Sequence, residues 1–317
     1  MKKNNNVLNL VIPCYNEEEA LPLTKKVLDN KMQELINKGM ISKNSKVVLV
    51  NDGSKDNTWE IITSMHKENS MYVGINLSKN KGHQNALLAG LMYAKDHCDI
   101  SISMDADLQD DINVMDDMIK KYNEGAEIVY GVRSSRKKDT FFKKITAESF
   151  YKFMNIMGVE IIFNHADCRL MSKKALDGLN EYTEVNLFLR GIVPQIGYKT
   201  DIAYYERNER VAGNSKYPLK KMLAFAIDGI TSFSVKPLRM ISSLGFIILF
   251  LSLIILIYSV IMKLIGNTVS GWTFIVCSIW LIGGIQTLCL GVIGEYIGKI
   301  YNETKHRPRY IVENILD

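Results

Sequence analysis

Charge is missing from two long stretches of this chain. Met240–Met262 (MISSLGFIILFLSLIILIYSVIM) and Trp272–Ile293 (WTFIVCSIWLIGGIQTLCLGVI) contain no Asp, Glu, Lys or Arg. At ~1.5 Å per residue each is long enough to cross a hydrocarbon layer of ~30 Å. Hydrophobicity on every side excludes an ordinary amphipathic surface helix and leaves a buried core helix or a membrane span, of which the length favours the span. The five cysteines, Cys14, Cys98, Cys168, Cys277 and Cys289, show no CxxC spacing. That excludes a zinc site or disulfide framework and fits a reducing compartment. There is no internal repeat, and no basic–aromatic interleaving to suggest a nucleic-acid partner. The apolar run after MKKNNN is too short for a signal peptide and is soon followed by acids, so no export is expected.

What is present is unevenly placed. The chain has 317 residues, 47% of them hydrophobic, enough for one large domain or two smaller ones. Part of its net charge of +5 flanks the apolar pair: Lys216, Lys220, Lys221, Lys236 and Arg239 before it, and Lys299, Lys305, Arg307 and Arg309 after it. The link KLIGNTVSG carries Lys263 alone and is short enough to force a hairpin. The positive-inside rule then puts both flanks in the cytoplasm, and clustered bases there meet anionic lipid. The expected organisation is a cytosolic domain over 1–215, an interfacial amphipathic region over 216–238, two transmembrane helices within 239–298 (about 240–262 and 272–294), and a cytosolic tail over 299–317. That organisation predicts a multi-pass protein of the cytoplasmic membrane with both termini in the cytosol.

Through the first half, β-branched runs alternate with helical patterns: VLNLVIP, KVVLV, YVGINL, ISISMD and EIVYGV are separated by amphipathic segments. The alternation predicts an α/β fold with a mostly parallel central sheet, whose ligands bind beyond the carboxyl ends of the strands. Two further segments, Arg136–Met157 and Tyr217–Val235, mix lysines with aromatic and apolar residues. The first suits a membrane-surface helix or an ordinary surface helix; the second runs directly into the first span, which favours the interface.

The strand ends carry the chemistry. Asp105 and Asp107 stand two apart after ISISM, so an extended backbone would put both carboxylates on one face. Such a pair repels itself unless a cation intervenes, and oxygen ligands suit Mg²⁺ or Mn²⁺; Gln109 adds an oxygen from the same turn. In VLVNDGSKDNT, Asp52 could accept hydrogen bonds from a nucleobase edge or serve a turn and helix cap. His83, near a helix start, reads as a capping or packing residue.

In order, VIPCYNEEEAL, VNDGSKDNT, NKGHQNALLAG, MDADLQD, YGVR and DCRLM resemble the signatures of family-2 glycosyltransferases of the polyprenyl-phosphate type. RNERVAGNSKY followed by two spans is similar to the bactoprenol glucosyltransferases, so the likeness covers almost the whole chain. The resemblance implies a GT-A nucleotide-sugar-binding fold and transfer of one sugar from a nucleotide diphosphate to a lipid phosphate. It implies that Pro13, Tyr15, Glu17 and Asp52 frame base and ribose. Asp105 would contact nucleotide or metal, with Asp107 and Gln109 on the metal. Arg133 and Arg169 would hold the acceptor phosphate, and Arg210, Ser215 and Lys216 would close over the donor diphosphate. Asp167 would orient Arg169 or assist the acceptor. In the family the acidic motif often continues with proline; here Asp110 is followed by Asp111, beyond the expected ligands.

A lipid monophosphate is already ionised near neutrality, so attack on the anomeric carbon needs arginines to place an anion more than it needs a general base. A single displacement predicts inversion. UDP-glucose is the favoured donor, ahead of UDP-N-acetylglucosamine and GDP-mannose. A processive polysaccharide synthase would want a longer channel and a QxxRW-like motif, and FLRGIVPQIGY has no tryptophan. A non-catalytic nucleotide-sugar sensor is the reading from another class. Small residues in LIGG and LGVIG allow close packing within the hairpin or between copies as a homo-oligomer.

Overall fold

The computed structural model describes residues 5–107, 109–134, 157, 165–206, 230–232, 234–265 and 271–317. The chain forms two compact units, one of Met1–Lys152, Glu160–Pro218 and Arg307–Asp317, the other of Phe153–Val159 and Leu219–His306.

The first unit begins as the alternation predicts. Strands β1 (Leu8–Cys14), β2 (Lys46–Asn51), β3 (Tyr72–Leu77) and β4 (Ile100–Ser103) are separated by helices α1 (Leu21–Asn37), α2 (Thr58–Glu68) and α3 (His83–His97). Helix α4 (Val114–Asn123) leads to β5 (Ile128–Arg133), and β6 (His165–Ser172), α5 (Lys173–Asn180), α6 (Leu189–Gln195) and β7 (Thr200–Tyr205) follow. Strand β1 is buried along its whole length, as a central strand covered on both faces must be. It pairs in parallel with β2 and β4, and β2 with β3. All four therefore point their carboxyl ends at one edge.

The sheet has eight strands in the order β7-β5-β6-β4-β1-β2-β3-β8 and is mixed rather than uniformly parallel. Strand β6 runs antiparallel to both β4 and β5, inserted between them. This insertion brings residues of the DCRLM motif beside the end of β4, with Ser103 opposite Arg169.

The last strand, β8 (Val312–Leu316), pairs antiparallel with β3. The tail expected over 299–317 is thus not a separate segment. Its first residues continue a helix to Thr304, and its last ones cover the β3 edge, where unpaired N–H and C=O groups would otherwise remain. Asn76 Nδ2 donates to Glu313 Oε2 at 2.9 Å, and Ser78 N to Ile311 O at 3.0 Å.

The second unit contains helices α7 (Lys236–Leu264) and α8 (Trp272–Thr304), which cover the two uncharged stretches. Exposed apolar side chains run along both, among them Phe246, Phe250 and Ile257 on α7 and Ile279, Leu288 and Leu290 on α8. Among the described residues, Leu281–Thr304 is the stretch long and apolar enough, by length and composition, to cross a membrane. Near the helix ends Lys299 Nζ donates to Ser232 Oγ at 2.9 Å, and the Tyr296 hydroxyl donates to Ser234 O. Most of the segments 136–157 and 217–235 lies outside the described residues.

Helix α3 sits so close to the sheet that a Cβ at Gly90 would lie 2.3 Å from Val11 Cγ1 and 2.8 Å from Val50 Cγ2. Gly90→Ala is therefore expected to lower stability by about 1–3 kcal/mol through overpacking, despite alanine's better helix propensity. Gly245→Ala, with open space around it, should produce no such loss. Thermal unfolding of the full chain in detergent compares the two; equal midpoints would refute the packing argument.

Candidate active site

Loops from the ends of β1 and β2 are stitched together by short polar side chains. Asn16 N donates to Ser54 Oγ at 3.0 Å, Lys55 N to Asn16 Oδ1 at 2.9 Å, and Glu17 N to Thr58 Oγ1 at 2.9 Å. Pro13 lies within β1 and is buried, Tyr15 beyond its end is exposed, and Glu17 is half-buried.

Asp52, buried just past β2, accepts from Lys81 N at 2.7 Å on one carboxylate oxygen and from Gly82 N at 2.9 Å on the other. Burial raises its pKa, while the two N–H bonds pull the other way. The carboxylate thus anchors the turn that starts α3. Gly53, at φ +61°, passes so close that a Cβ would meet Asn80 N at 2.5 Å. The turn its oxygens serve is the one that starts α3, not the expected turn over Ser54–Asn57 that leads into α2.

Strand β4 ends at Ser103, and Ala106 and Asp107 lie in a turn. Strand geometry therefore does not run on through Asp107 to align it with Asp105, and at the turn Thr24 Oγ1 of α1 donates to Ala106 O at 2.9 Å. Asp107 Oδ1 accepts from Gln109 N at 3.2 Å, and the Gln109 side chain is buried.

Asp105 instead meets groups from other elements. His83, the first residue of α3, places Nε2 3.6 Å from Asp105 Oδ1 and 3.6 Å from Asp167 Oδ2. Arg190 on α6 grips Asp167 with both ends of its fork, Nε to Oδ1 at 3.0 Å and a terminal nitrogen to Oδ2 at 2.9 Å. Arg169 is 1% exposed and donates to Asp167 Oδ1 at 3.2 Å and to Leu189 O at 3.4 Å. Leu189 N donates to Gln84 Oε1 at 2.8 Å, tying α6 to α3 and setting the height of Arg190.

These charges order the site's titration. Burial alone would raise the Asp167 pKa, but Arg190 and His83 outweigh it and hold the carboxyl well below its usual range. Burial likewise opposes protonation of His83, and Asp167 and Asp105 overcome it, so its pKa rises. Loss of solvation, with Asp167, Asp110 and Asp107 adding to it against His83, pushes Asp105 up to about 6.

On the neighbouring strands, Arg133 donates to Asp110 Oδ1 at 3.1 Å, and the Tyr205 hydroxyl donates to the same oxygen at 2.6 Å. Arg210, Ser215 and Lys216 lie outside the described residues. The structure thus brings Asp105, Asp167 and Arg169 together and places Arg133 on Asp110. His83, expected to cap or pack, and Arg190, not singled out by the sequence, join the cluster. The site that His83 occupies is foreshadowed by NKGHQNA at a strand end; FLRG offers no local signal.

Among the described residues, ligand atoms of His83, Asp105 and Asp167 lie within 4.8 Å of one another, a group able to hold a metal ion. One imidazole nitrogen and two carboxylates suit Mn²⁺ better than Mg²⁺. Asp107 is not in this group, and Asp167 already carries two guanidiniums, which oppose a cation beside it.

Residues 9–179 match the family model described as glycosyl transferase family 2. The chain belongs to that family. It is a glycosyltransferase, an enzyme. A relative from Bacillus subtilis (strain 168), described as the uncharacterized glycosyltransferase YkoT, is 52% identical over 313 residues, covering 99% of this chain and 93% of that one. The bactoprenol glucosyl transferase of Shigella phage SfV is 40% identical, covering 97% of this chain and 98% of its own length. The prophage bactoprenol glucosyl transferase homolog of Escherichia coli (strain K12) is also 40% identical, covering 97% and 99%.

The raised pKa of Asp105 makes a signed prediction for this glycosyltransferase. Its carboxyl ionises near 3.8 when unfolded and near 6 when folded, so the folded state binds the extra proton between those values and stability falls as pH rises through that window. Asp105→Asn is expected to unfold at a higher temperature than wild type at pH 7.5, with the gain gone at pH 4, while losing turnover. Wild-type activity should decline as pH drops through about 6. A lower midpoint for the variant at pH 7.5 would contradict this.

Proposed function

We propose that this enzyme transfers one hexose from a nucleoside-diphosphate sugar to a polyprenyl phosphate at the cytoplasmic face of a membrane, with inversion at the anomeric carbon. The observation that carries the reading is the 40% identity, over nearly the full length of both chains, to proteins named bactoprenol glucosyl transferase. UDP-glucose and undecaprenyl phosphate are the favoured substrates on that basis. The clustering of acids and arginines where β4 and β6 meet supports it.

Asp105, with Asp107 and Gln109 on the same turn or with His83 and Asp167 from α3 and β6, would hold a divalent cation, Mg²⁺ or Mn²⁺. Such an ion offsets charge growing on the departing diphosphate. Pro13, Tyr15, Glu17 and the Asp52-anchored turn would frame base and ribose, and Arg210, Ser215 and Lys216 are assigned to the donor diphosphate from their motif alone. Arg133, 29% exposed, presents a guanidinium to the acceptor phosphate. Arg169 is enclosed and acts by fixing Asp167, and Arg190 offers a second, partly exposed cation beside it.

Helices α7 and α8 form a transmembrane hairpin in this reading, with both flanks cytosolic. The hairpin confines enzyme and lipid acceptor to one surface, which turns their encounter into a nearly two-dimensional search. The segments 136–157 and 216–238 would lie at the interface and set the height of the site, and the small residues of α8 permit association of copies.

A panel of radiolabelled UDP-glucose, UDP-N-acetylglucosamine and GDP-mannose, offered with undecaprenyl phosphate and Mg²⁺ or Mn²⁺, tests the reading by counts in the lipid phase. One sugar should transfer singly, transfer should stop with a chelator, and Asp105→Asn, which removes the carboxylate common to both arrangements, should reduce it at least ~100-fold with the fold intact. Polymer formation would favour a processive synthase, and retention of the donor's anomeric configuration would exclude a single displacement.

A further inference from the structure

Asp110 follows the carboxylates of the acidic motif yet faces a different part of the site. Its side chain is 2% exposed, and one oxygen receives both Arg133 at 3.1 Å and the Tyr205 hydroxyl at 2.6 Å. Arg133 and Tyr205 are register partners on the parallel strands β5 and β7, so the turn after β4 is tied to two strand ends at once. The pair is asymmetric, because the Arg133 side chain is 29% exposed and the Asp110 side chain is closed off.

A purely stabilising role accounts for this arrangement poorly. A buried ion pair is generally no more stabilising than well-packed apolar residues of similar volume, and the strongest Arg–carboxylate pairs are two-pronged. Here a single oxygen is shared, while Asp110 Oδ2 and Arg133 Nε are buried without a partner among the described residues. What the contact does achieve is to hold a long side chain in one direction with part of its fork open. A guanidinium so held loses less rotamer freedom when it takes up an anion. Burial opposes the charged form of Arg133, and the neighbouring Asp110 and Tyr205 outweigh it and raise its pKa.

We propose that Asp110, together with the Tyr205 hydroxyl, is a positioning residue that aims the Arg133 guanidinium at the phosphate of the lipid acceptor. The inference rests on the polyprenyl-phosphate reading above and adds to it a residue that never touches substrate.

The full chain in lipid nanodiscs tests it by equilibrium binding of undecaprenyl phosphate, with undecaprenol, which lacks the phosphate, as control. Asp110→Asn keeps the size and the acceptor oxygen but removes the charge. It should raise the Kd for undecaprenyl phosphate about tenfold and leave undecaprenol binding and UDP binding within about twofold. Tyr205→Phe, the milder change, should raise the same Kd about threefold. In an Arg133→Ala background, Asp110→Asn should add less than about twofold, since it acts through that arginine.

Equal loss of undecaprenol and undecaprenyl phosphate binding, or full additivity with Arg133→Ala, would reduce Asp110 to a structural ion pair and overturn the proposal. If Arg133→Ala weakens phosphate binding and neither Asp110→Asn nor Tyr205→Phe does, the positioning role alone falls. If wild type does not prefer undecaprenyl phosphate to undecaprenol, the acceptor reading fails and the positioning role with it. Should Asp110→Asn not fold, an unchanged Kd in Tyr205→Phe decides against the proposal.

Discussion

The carboxylate of Asp167 holds the candidate site together. It takes two hydrogen bonds from Arg190, one from Arg169, and the approach of His83, so that four groups from β6, α6 and α3 share one charge centre. Removing one partner of a buried ion pair generally costs about 3–5 kcal/mol, because the other charge is left without compensation. The network therefore fixes the relative placement of those elements as well as the local potential. Its consequence reaches Asp105, which faces the same imidazole and whose pKa is raised by loss of solvation and by its neighbouring carboxylates.

The mixed sheet explains how such a centre arises. In an all-parallel arrangement the residues following β4 would face another strand end. Here β6 comes back antiparallel between β4 and β5, so that Ser103 at the end of β4 stands opposite Arg169. The Ser103 hydroxyl then donates to Asp167 O at 2.6 Å, which secures the backbone on which both charged residues sit. The neighbouring Asp110–Arg133–Tyr205 contact repeats the device one strand further along, with a carboxylate from the acidic turn gripping a cation from a strand end. Two arginines that look equivalent in the sequence thereby acquire different tasks: Arg169 is enclosed, and Arg133 stays partly open.

The C-terminal strand belongs to the same economy of edges. The chain leaves the first unit, forms α7 and α8, and returns to supply β8, which occupies the β3 edge through Asn76, Ser78 and the strand ladder. The catalytic unit is accordingly built from both ends of the sequence. Each of the two units is continuous in its packing while discontinuous in the chain.

The alternation of β-branched runs with amphipathic segments determined the first five strands and four helices, because periodicity records which faces are buried wherever the elements follow one another closely. The uncharged stretches likewise determined two long helices. The strand pattern placed Asp52, Asp105, Asp107 and Arg133 at strand ends or just beyond them, whereas Asp167 and Arg169 lie within β6. Only the tertiary structure decided what those side chains touch. That Asp52 serves a backbone turn, that the chain bends between Ser103 and Asp107, that His83 reaches two carboxylates and that Arg190 grips Asp167 all depend on residues far apart in sequence. Local periodicity reports burial within an element. The partner of a buried charge is set by how the elements cross, and an antiparallel insertion or a strand returning from the far end of the chain leaves no trace in the spacing of neighbouring residues.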